Sequence, residues 1–302
     1  MGDTEINIDW EQSANIAVLI AGPTASGKSK LALKIAQEID GVIINADSMQ
    51  VYSVLDVLSA RPLSEDMAQV EHFLYGILSP TERCSTGVWL REVAKLLARD
   101  DLKNKNKIFV GGTGLYFKAL IDGFIEIPDI SSQIISEIEA LVAPLSRQQR
   151  KDLLADRDPE MAKILLEPDR QRLVRALSVL AQTGRSLASW QKDEQQGLLG
   201  SYNLKKIVLN PAREILNERI KKRFLSMWEN GAVEEVKSIL SLDIDPSMPA
   251  MKAIGVREIS GWLAGEFSKE QVIEKAIIAS RQYAKRQRTW FRRQMSDWEW
   301  RQ

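Results

Sequence analysis

The stretch Gly22-Pro23-Thr24-Ala25-Ser26-Gly27-Lys28-Ser29 constrains this chain more than any other. Two glycines bracket four residues, and a lysine and a hydroxyl follow, which is the pattern of a phosphate-binding loop. Ile16-Ala17-Val18-Leu19-Ile20-Ala21 precedes it as an apolar run of the kind that forms a buried parallel strand. Behind it, Leu31, Leu33, Ile35 and Ala36 recur at roughly helical spacing as far as Glu38. Strand, glycine loop and helix are the setting such a motif requires. Glycines let the backbone curl until successive N–H groups face phosphate oxygens, and the helix N-terminus adds partial positive charge. Lys28 brings a full charge, and the Ser29 hydroxyl suits Mg²⁺. A glycine turn without a ligand is the weaker reading, because every defining position and both flanks are present.

Two further strand ends point the same way. Val42-Ile43-Ile44-Asn45 ends at Ala46-Asp47-Ser48-Met49-Gln50-Val51-Tyr52. Polar residues past the carboxyl end of a parallel strand lie on the face where α/β sheets bind ligands, so Asp47 is expected beside the phosphate loop. The same Asp-Ser pair also suits a helix cap, and the two roles are compatible. Ile108-Phe109-Val110-Gly111-Gly112-Thr113-Gly114 is again strand and glycine turn, which permits close approach of a ligand or of another loop. It brings Thr113 to the same sheet edge. Between these, Leu55 to Pro80 reads as irregular with a strand over Phe73–Leu78, and Val88 to Leu102 reads as a helix.

From Asp129 to Tyr202 the pattern is helical, punctuated by Pro144, Pro159 and Pro168, before Leu204–Leu209 returns to strand. This predicts an α/β fold with a P-loop NTPase-like parallel sheet core, a helical insertion subdomain and a long basic C-terminal helix. The expected division is 1–128, 129–202 and 203–302. Arg170, Arg172 and Arg175 share no single helix face, so at least one is expected to point away from bulk solvent, with a solvated basic helix as the alternative. Pro211 is expected in the first turn of a helix carrying Arg213, Arg219, Lys221, Lys222 and Arg223. Glu270 to Gln302 reads as one helix with no acid between Arg281 and Arg293. Its cations alternate with Tyr283 and Trp290, which suits a phosphate backbone with exposed bases, or else a solvated amphipathic tail.

Bulk charge gives no such signal, since 41 basic residues balance 41 acidic ones. The single cysteine, Cys84, excludes an internal disulfide framework and suits a reducing cytosol. The single histidine, His72, sits in no nucleophile elbow and reads as structural. No apolar run reaches the roughly 18 residues of a membrane span, and Met1 to Asn15 lacks the apolar core of a secretion signal.

In the order Gly22–Ser29, Asp47–Tyr52, Gly111–Leu120, Gln171–Arg175, Ala253–Glu258 and Tyr283–Trp290, the chain resembles the bacterial tRNA dimethylallyltransferase (tRNA isopentenyltransferase) family. The resemblance runs from Ile16 to about Trp298. It implies transfer of a dimethylallyl group from its diphosphate to N6 of the adenine 3′ to the anticodon. The donor diphosphate takes the phosphate loop, Gly22, Pro23, Thr24, Ala25, Ser26, Gly27, Lys28 and Ser29, with Mg²⁺ on Ser29. Asp47 matches the family's general base, and Thr113 and Arg223 its other catalytic positions. Ser48, Met49, Gln50, Gln171, Arg172, Leu173, Val174 and Arg175, with Lys285, Arg286 and Arg288, are the tRNA contacts it implies. The partners implied are the tRNA anticodon stem-loop and dimethylallyl diphosphate, for a monomer in the cytoplasm. Departures are Leu58-Ser59 where the family usually has Gly and Thr, no Arg shortly after Pro128, and Ser29 for the commoner Thr. An adenylate isopentenyltransferase, a P-loop small-molecule kinase and a non-catalytic RNA-binding module are the competing readings.

Overall fold

The computed structural model describes residues 15–302. The reading of the first residues as lacking a secretion signal therefore falls, up to residue 14, outside the described part. The chain divides into two compact units, one reaching Ile121 and resuming at Gly197–Gln302, the other Asp122–Gln196.

The first unit is built on a parallel sheet of six strands, β1 (Ile16–Ala21), β2 (Gly41–Asn45), β3 (His72–Phe73), β4 (Asn106–Gly111), β5 (Asn203–Leu209) and β6 (Glu299–Arg301), in the order β3-β2-β4-β1-β5-β6. All six residues of β1 are buried because the strand is covered on both faces. Ile16, Val18 and Ile20 meet the helix Lys28–Glu38 through Leu31, Ala32, Ile35 and Ala36. Ala17, Leu19 and Ala21 belong to a larger core on the other face, shared with the helices Thr86–Leu97, Arg213–Glu229, Ala232–Ser241, Val256–Leu263 and Lys269–Gln294. The chain passes from β1 over β4 to β2, so the loops after β1, β2 and β4 open at one edge. That edge is the switch point where such sheets hold ligands.

The second unit contains five helices among the described residues, Ser132–Val142, Arg147–Arg157, Pro159–Ala162, Arg170–Thr183 and Leu187–Trp190. Val142, Leu154, Met161, Leu173, Val174 and Leu177 form a core of their own. No helix of the described residues is long and apolar enough to cross a membrane.

Several expected boundaries move, each for a local reason. The second unit closes before Gly197 rather than at 202 because the Leu198 amide bonds the Leu120 carbonyl and Leu199 is buried in the larger core. The expected strand Phe73–Leu78 shrinks to β3, since Leu74 (φ 64) and Gly76 (φ 60) turn the chain out of extended geometry. A single bridge, Tyr52 with Leu78, is what remains beyond it. The stretch between Leu55 and Pro80 also holds the short helix Ser64–Gln69. Pro211 lies outside its helix, which Ala212 caps at Arg213–Glu229. The last helix stops at Gln294, where Met295 and Trp298 turn into the core and Glu299–Arg301 pairs with β5. A three-residue strand is too short to show a period in sequence.

Candidate active site

The phosphate loop leaves β1 and re-enters helix at Lys28. Gly27 caps that helix at φ 95, a left-handed backbone that glycine adopts freely, and offers no side chain to its first amides. Those N–H groups face an anion site by default. Ala25 is also left-handed at φ 62. The loop is pinned from two distant helices. The Thr24 amide donates to Gln287 Oε1 at 2.9 Å, and Arg219 donates to the Ser26 carbonyl at 3.2 Å. Lys28 Nζ lies 3.4 Å from the Pro23 carbonyl. Burial lowers its pKa to about 8, against an opposing pull from Asp47 and with a smaller push from Arg223.

Asp47 follows β2 on a rigid footing. Buried Asn45 accepts the Asp47 amide at 2.8 Å and donates to the Asp47 and Leu74 carbonyls at 3.0 Å. Trp89 fixes the Asn45 carbonyl at 2.9 Å. Asp47 Oδ1 accepts the Met49 amide at 2.9 Å, so the residue closes a turn and caps no long helix. Its other oxygen stays available. Thr113 Oγ1 accepts the Ser48 amide at 3.0 Å and donates to Ser48 Oγ at 3.3 Å.

The glycine turn after β4 serves protein packing. A Cβ on Gly111 would lie 2.0 Å from the Ala46 carbonyl oxygen, one on Gly112 2.2 Å from Gln287, and one on Gly114 2.1 Å from Trp290. Gln287 Nε2 donates to the Gly112 carbonyl at 2.9 Å, so one buried side chain joins the loops after β1 and β4.

The loops after β1 and β2 border a cavity of about 290 Å³. Thr24, Asp47, Ser48, Ser59, Arg223 and Arg286 contribute polar groups to its lining. Met49, Leu58, Ile220, Phe224, Met227 and Ile254 contribute apolar ones. Burial lowers the Arg223 pKa, with Asp47 opposing it, and Arg223 donates to the Ser59 carbonyl at 3.3 Å. Tyr283 also lines the cavity, and burial raises its pKa, followed by the charge of Asp47. The cavity thus gathers Thr24, Asp47, Ser48, Met49, Arg223 and Arg286 from the residues expected in sequence, while Lys28 and Thr113 stand outside its lining. Ser29 opens instead on a smaller cavity of about 170 Å³ with Tyr75 and His72. Among the described residues, no group of three or more His, Cys, Asp or Glu is arranged to hold a metal ion.

The expected residues fare differently. Gln50 does not reach outward, because Nε2 donates to the Ser59 and Ala60 carbonyls at 3.0 Å each. Leu173 and Val174 are buried in the insertion core, so they support their helix and present nothing to a ligand. Arg170 and Arg172 are exposed, whereas burial lowers the Arg175 pKa, so one of the three is partly withdrawn from bulk solvent. Tyr283 lines the cavity and Trp290 packs on Gly114, so any base that meets Tyr283 does so inside the cavity and not along the outer face of the helix. Arg281, Lys285, Arg286, Arg292 and Arg293 remain exposed, while Arg288 is half-buried. Sequence reasoning missed Lys252 and Ser280, which carry no local motif, and the role of Gln287, which lies within Tyr283–Trp290 but gives no sign there that it joins the loops after β1 and β4.

The IPP transferase family model matches residues 50–294, and an isopentenyl transferase model matches residues 15–79. The tRNA dimethylallyltransferase of Chelativorans sp. (strain BNC1) is 51% identical over 284 residues, covering 94% of this chain and 97% of that protein. A crystal structure of the tRNA isopentenylpyrophosphate transferase of Bacillus halodurans matches with TM-score 0.67 at 32% identity, covering 95% of this chain and 89% of that one. A eukaryotic dimethylallyltransferase acting on tRNA matches with TM-score 0.77 at 25% identity, covering 92% of this chain and 70% of that one.

Proposed function

The chain belongs to the tRNA dimethylallyltransferase family, a family of prenyl-transferring enzymes, and on that premise we propose how its cavity works. Dimethylallyl diphosphate is the donor, and N6 of the adenine 3′ to the anticodon of tRNA is the acceptor. The observation that carries this reading is the mixed lining of the large cavity. A donor that is at once an anion and a hydrocarbon needs cationic and hydroxyl groups together with apolar walls, and this cavity supplies both.

An exocyclic adenine amine is a poor nucleophile because its lone pair is delocalised into the ring. As the new C–N bond forms and the C–O bond to diphosphate breaks, a carboxylate within reach takes the N6 proton. Asp47 has one oxygen committed to the Met49 amide and the other available for that proton. Negative charge grows on the leaving diphosphate. Lys28, the uncapped amides of the loop and Arg223 stabilise it from fixed positions. Thr113 acts through Ser48, holding the turn that carries Asp47. Mg²⁺ would be a partner of the diphosphate, and the hydroxyl this chain would offer it is Ser29, a hard oxygen donor that opens on the smaller cavity. Its chemistry would be charge neutralisation on the leaving group.

Acceptor binding falls to exposed cations. Arg281, Lys285, Arg286, Arg292 and Arg293 on the last helix suit phosphates, as do Arg172 and Arg175 with Gln171 on the insertion. The target base must leave its stack to enter an enclosed site. We take the working form to be a monomer in the cytoplasm, where tRNA is found. Free adenylate as acceptor would use the same chemistry, but the exposed basic face favours a polynucleotide. Incubation with labelled dimethylallyl diphosphate and either tRNA or AMP tests the reading. Label enters tRNA if it holds; label in AMP alone, or no transfer, contradicts it.

A further inference from the structure

The loop that carries Leu58 and Ser59 into the cavity is held from outside. Glu235, on the helix Ala232–Ser241, accepts three successive backbone amides from it. Oε2 takes Asp56 N at 2.8 Å and Val57 N at 2.6 Å, and Oε1 takes Leu58 N at 2.9 Å. Converging amides of this kind form an anion nest, and here a side chain of the protein itself is the anion.

Past the nest, the chain turns through Ala60 in a left-handed conformation, φ 49. Its carbonyls point to catalytic neighbours. The Ser59 carbonyl accepts from Arg223 at 3.3 Å and from Gln50 at 3.0 Å, and the Ala60 carbonyl also accepts from Gln50. A carboxylate that fixes the amides of Asp56, Val57 and Leu58 therefore fixes the next carbonyl as well. That carbonyl orients the Arg223 guanidinium in the cavity.

We propose that Glu235 is a positioning residue for prenyl transfer, setting the Leu58–Ser59 wall of the cavity and, through the Ser59 carbonyl, the placement of Arg223. The assignment rests on the donor reading of the cavity given above. Glu234 beside it is exposed and pairs only with Lys237, at 3.8 Å, so it provides a matched control.

In Glu235→Gln the side chain keeps its size but loses its charge, and its amide N–H group is set against a backbone N–H. Steady-state kinetics with dimethylallyl diphosphate and tRNA should show the donor KM raised about tenfold and kcat lowered, with tRNA affinity unchanged. Glu235→Asp, which retains the charge, should fall between wild type and Glu235→Gln, and Glu234→Gln should match wild type. The deciding measurement is a double-mutant cycle with Arg223→Ala. If Glu235 acts through Arg223, the penalty of Glu235→Gln shrinks in the Arg223→Ala background. Should Glu235→Gln not fold, Glu235→Asp enters the same cycle. Donor kinetics within about twofold of wild type, or penalties that simply multiply, would overturn the proposal. Donor kinetics indifferent to Arg223→Ala would overturn the donor reading along with it, whereas a damaging Arg223→Ala beside a silent Glu235→Gln removes this inference alone.

Discussion

Lys28 is placed where a full positive charge is hardest to keep and most useful to have. Desolvation brings its pKa down to about 8, with Asp47 pulling up and Arg223 pushing down. A bound diphosphate favours the protonated form, so its arrival raises that pKa. The sign follows. Donor affinity is full below about pH 8, where free enzyme already carries the proton, and falls as pH rises through that value, toward tenfold per unit. Calorimetric titration of donor across about pH 7 to 10 should show the break, and Lys28→Met should remove it along with most of the affinity. An affinity flat across that range would mean Lys28 does not meet the diphosphate. The residues that the sequence made legible here, Lys28, Asp47 and Ser48, sit inside contiguous motifs whose chemistry is local. Gln287 and Glu235 were illegible because their partners lie 263 and 179 residues away. A glutamine or glutamate on a helix gives no sign of which amides it will meet. Gln50 shows the converse: its motif position was legible, and its use inside the wall loop was not.

At the scale of elements, the helix Lys269–Gln294 does two jobs on two faces. Ala284, Gln287 and Phe291 are buried, while Arg281, Lys285, Arg292 and Arg293 stay in solvent. The acid-free stretch from Arg281 to Arg293 was readable as a charge pattern, and helical spacing separates its faces. Where the aromatic residues point was not readable, because spacing alone does not say that Trp290 meets a glycine turn and Tyr283 a cavity. The exposed cations carry the next prediction. Replacing Arg281 and Lys285 together by Gln should weaken tRNA binding and flatten its dependence on log salt by about 0.7–0.9 per lost phosphate contact. Filter binding over a salt series measures it. An unchanged slope would make this face a solvated surface only.

Across the whole molecule, charge is balanced, 41 basic residues against 41 acidic, so any hold on a polyanion is local to such faces. The sheet unit contains the cavity, which the loops after β1 and β2 border. That architecture was legible because buried parallel strands leave apolar runs ending in glycine or polar turns. The end of the insertion and the edge strand β6 were not, since tertiary contacts of Leu198, Leu199 and Trp298 decide them. On the proposed reading one cavity performs the chemistry, with Asp47 as its base, separately from the exposed cations that hold tRNA. Single-turnover transfer by Asp47→Asn, with donor and tRNA both saturating and each affinity measured by itself, tests that claim most directly. The chemical step should slow roughly 10²–10⁴-fold with both affinities near wild type. An unchanged step, or a defect that added Mg²⁺ restores, would contradict it.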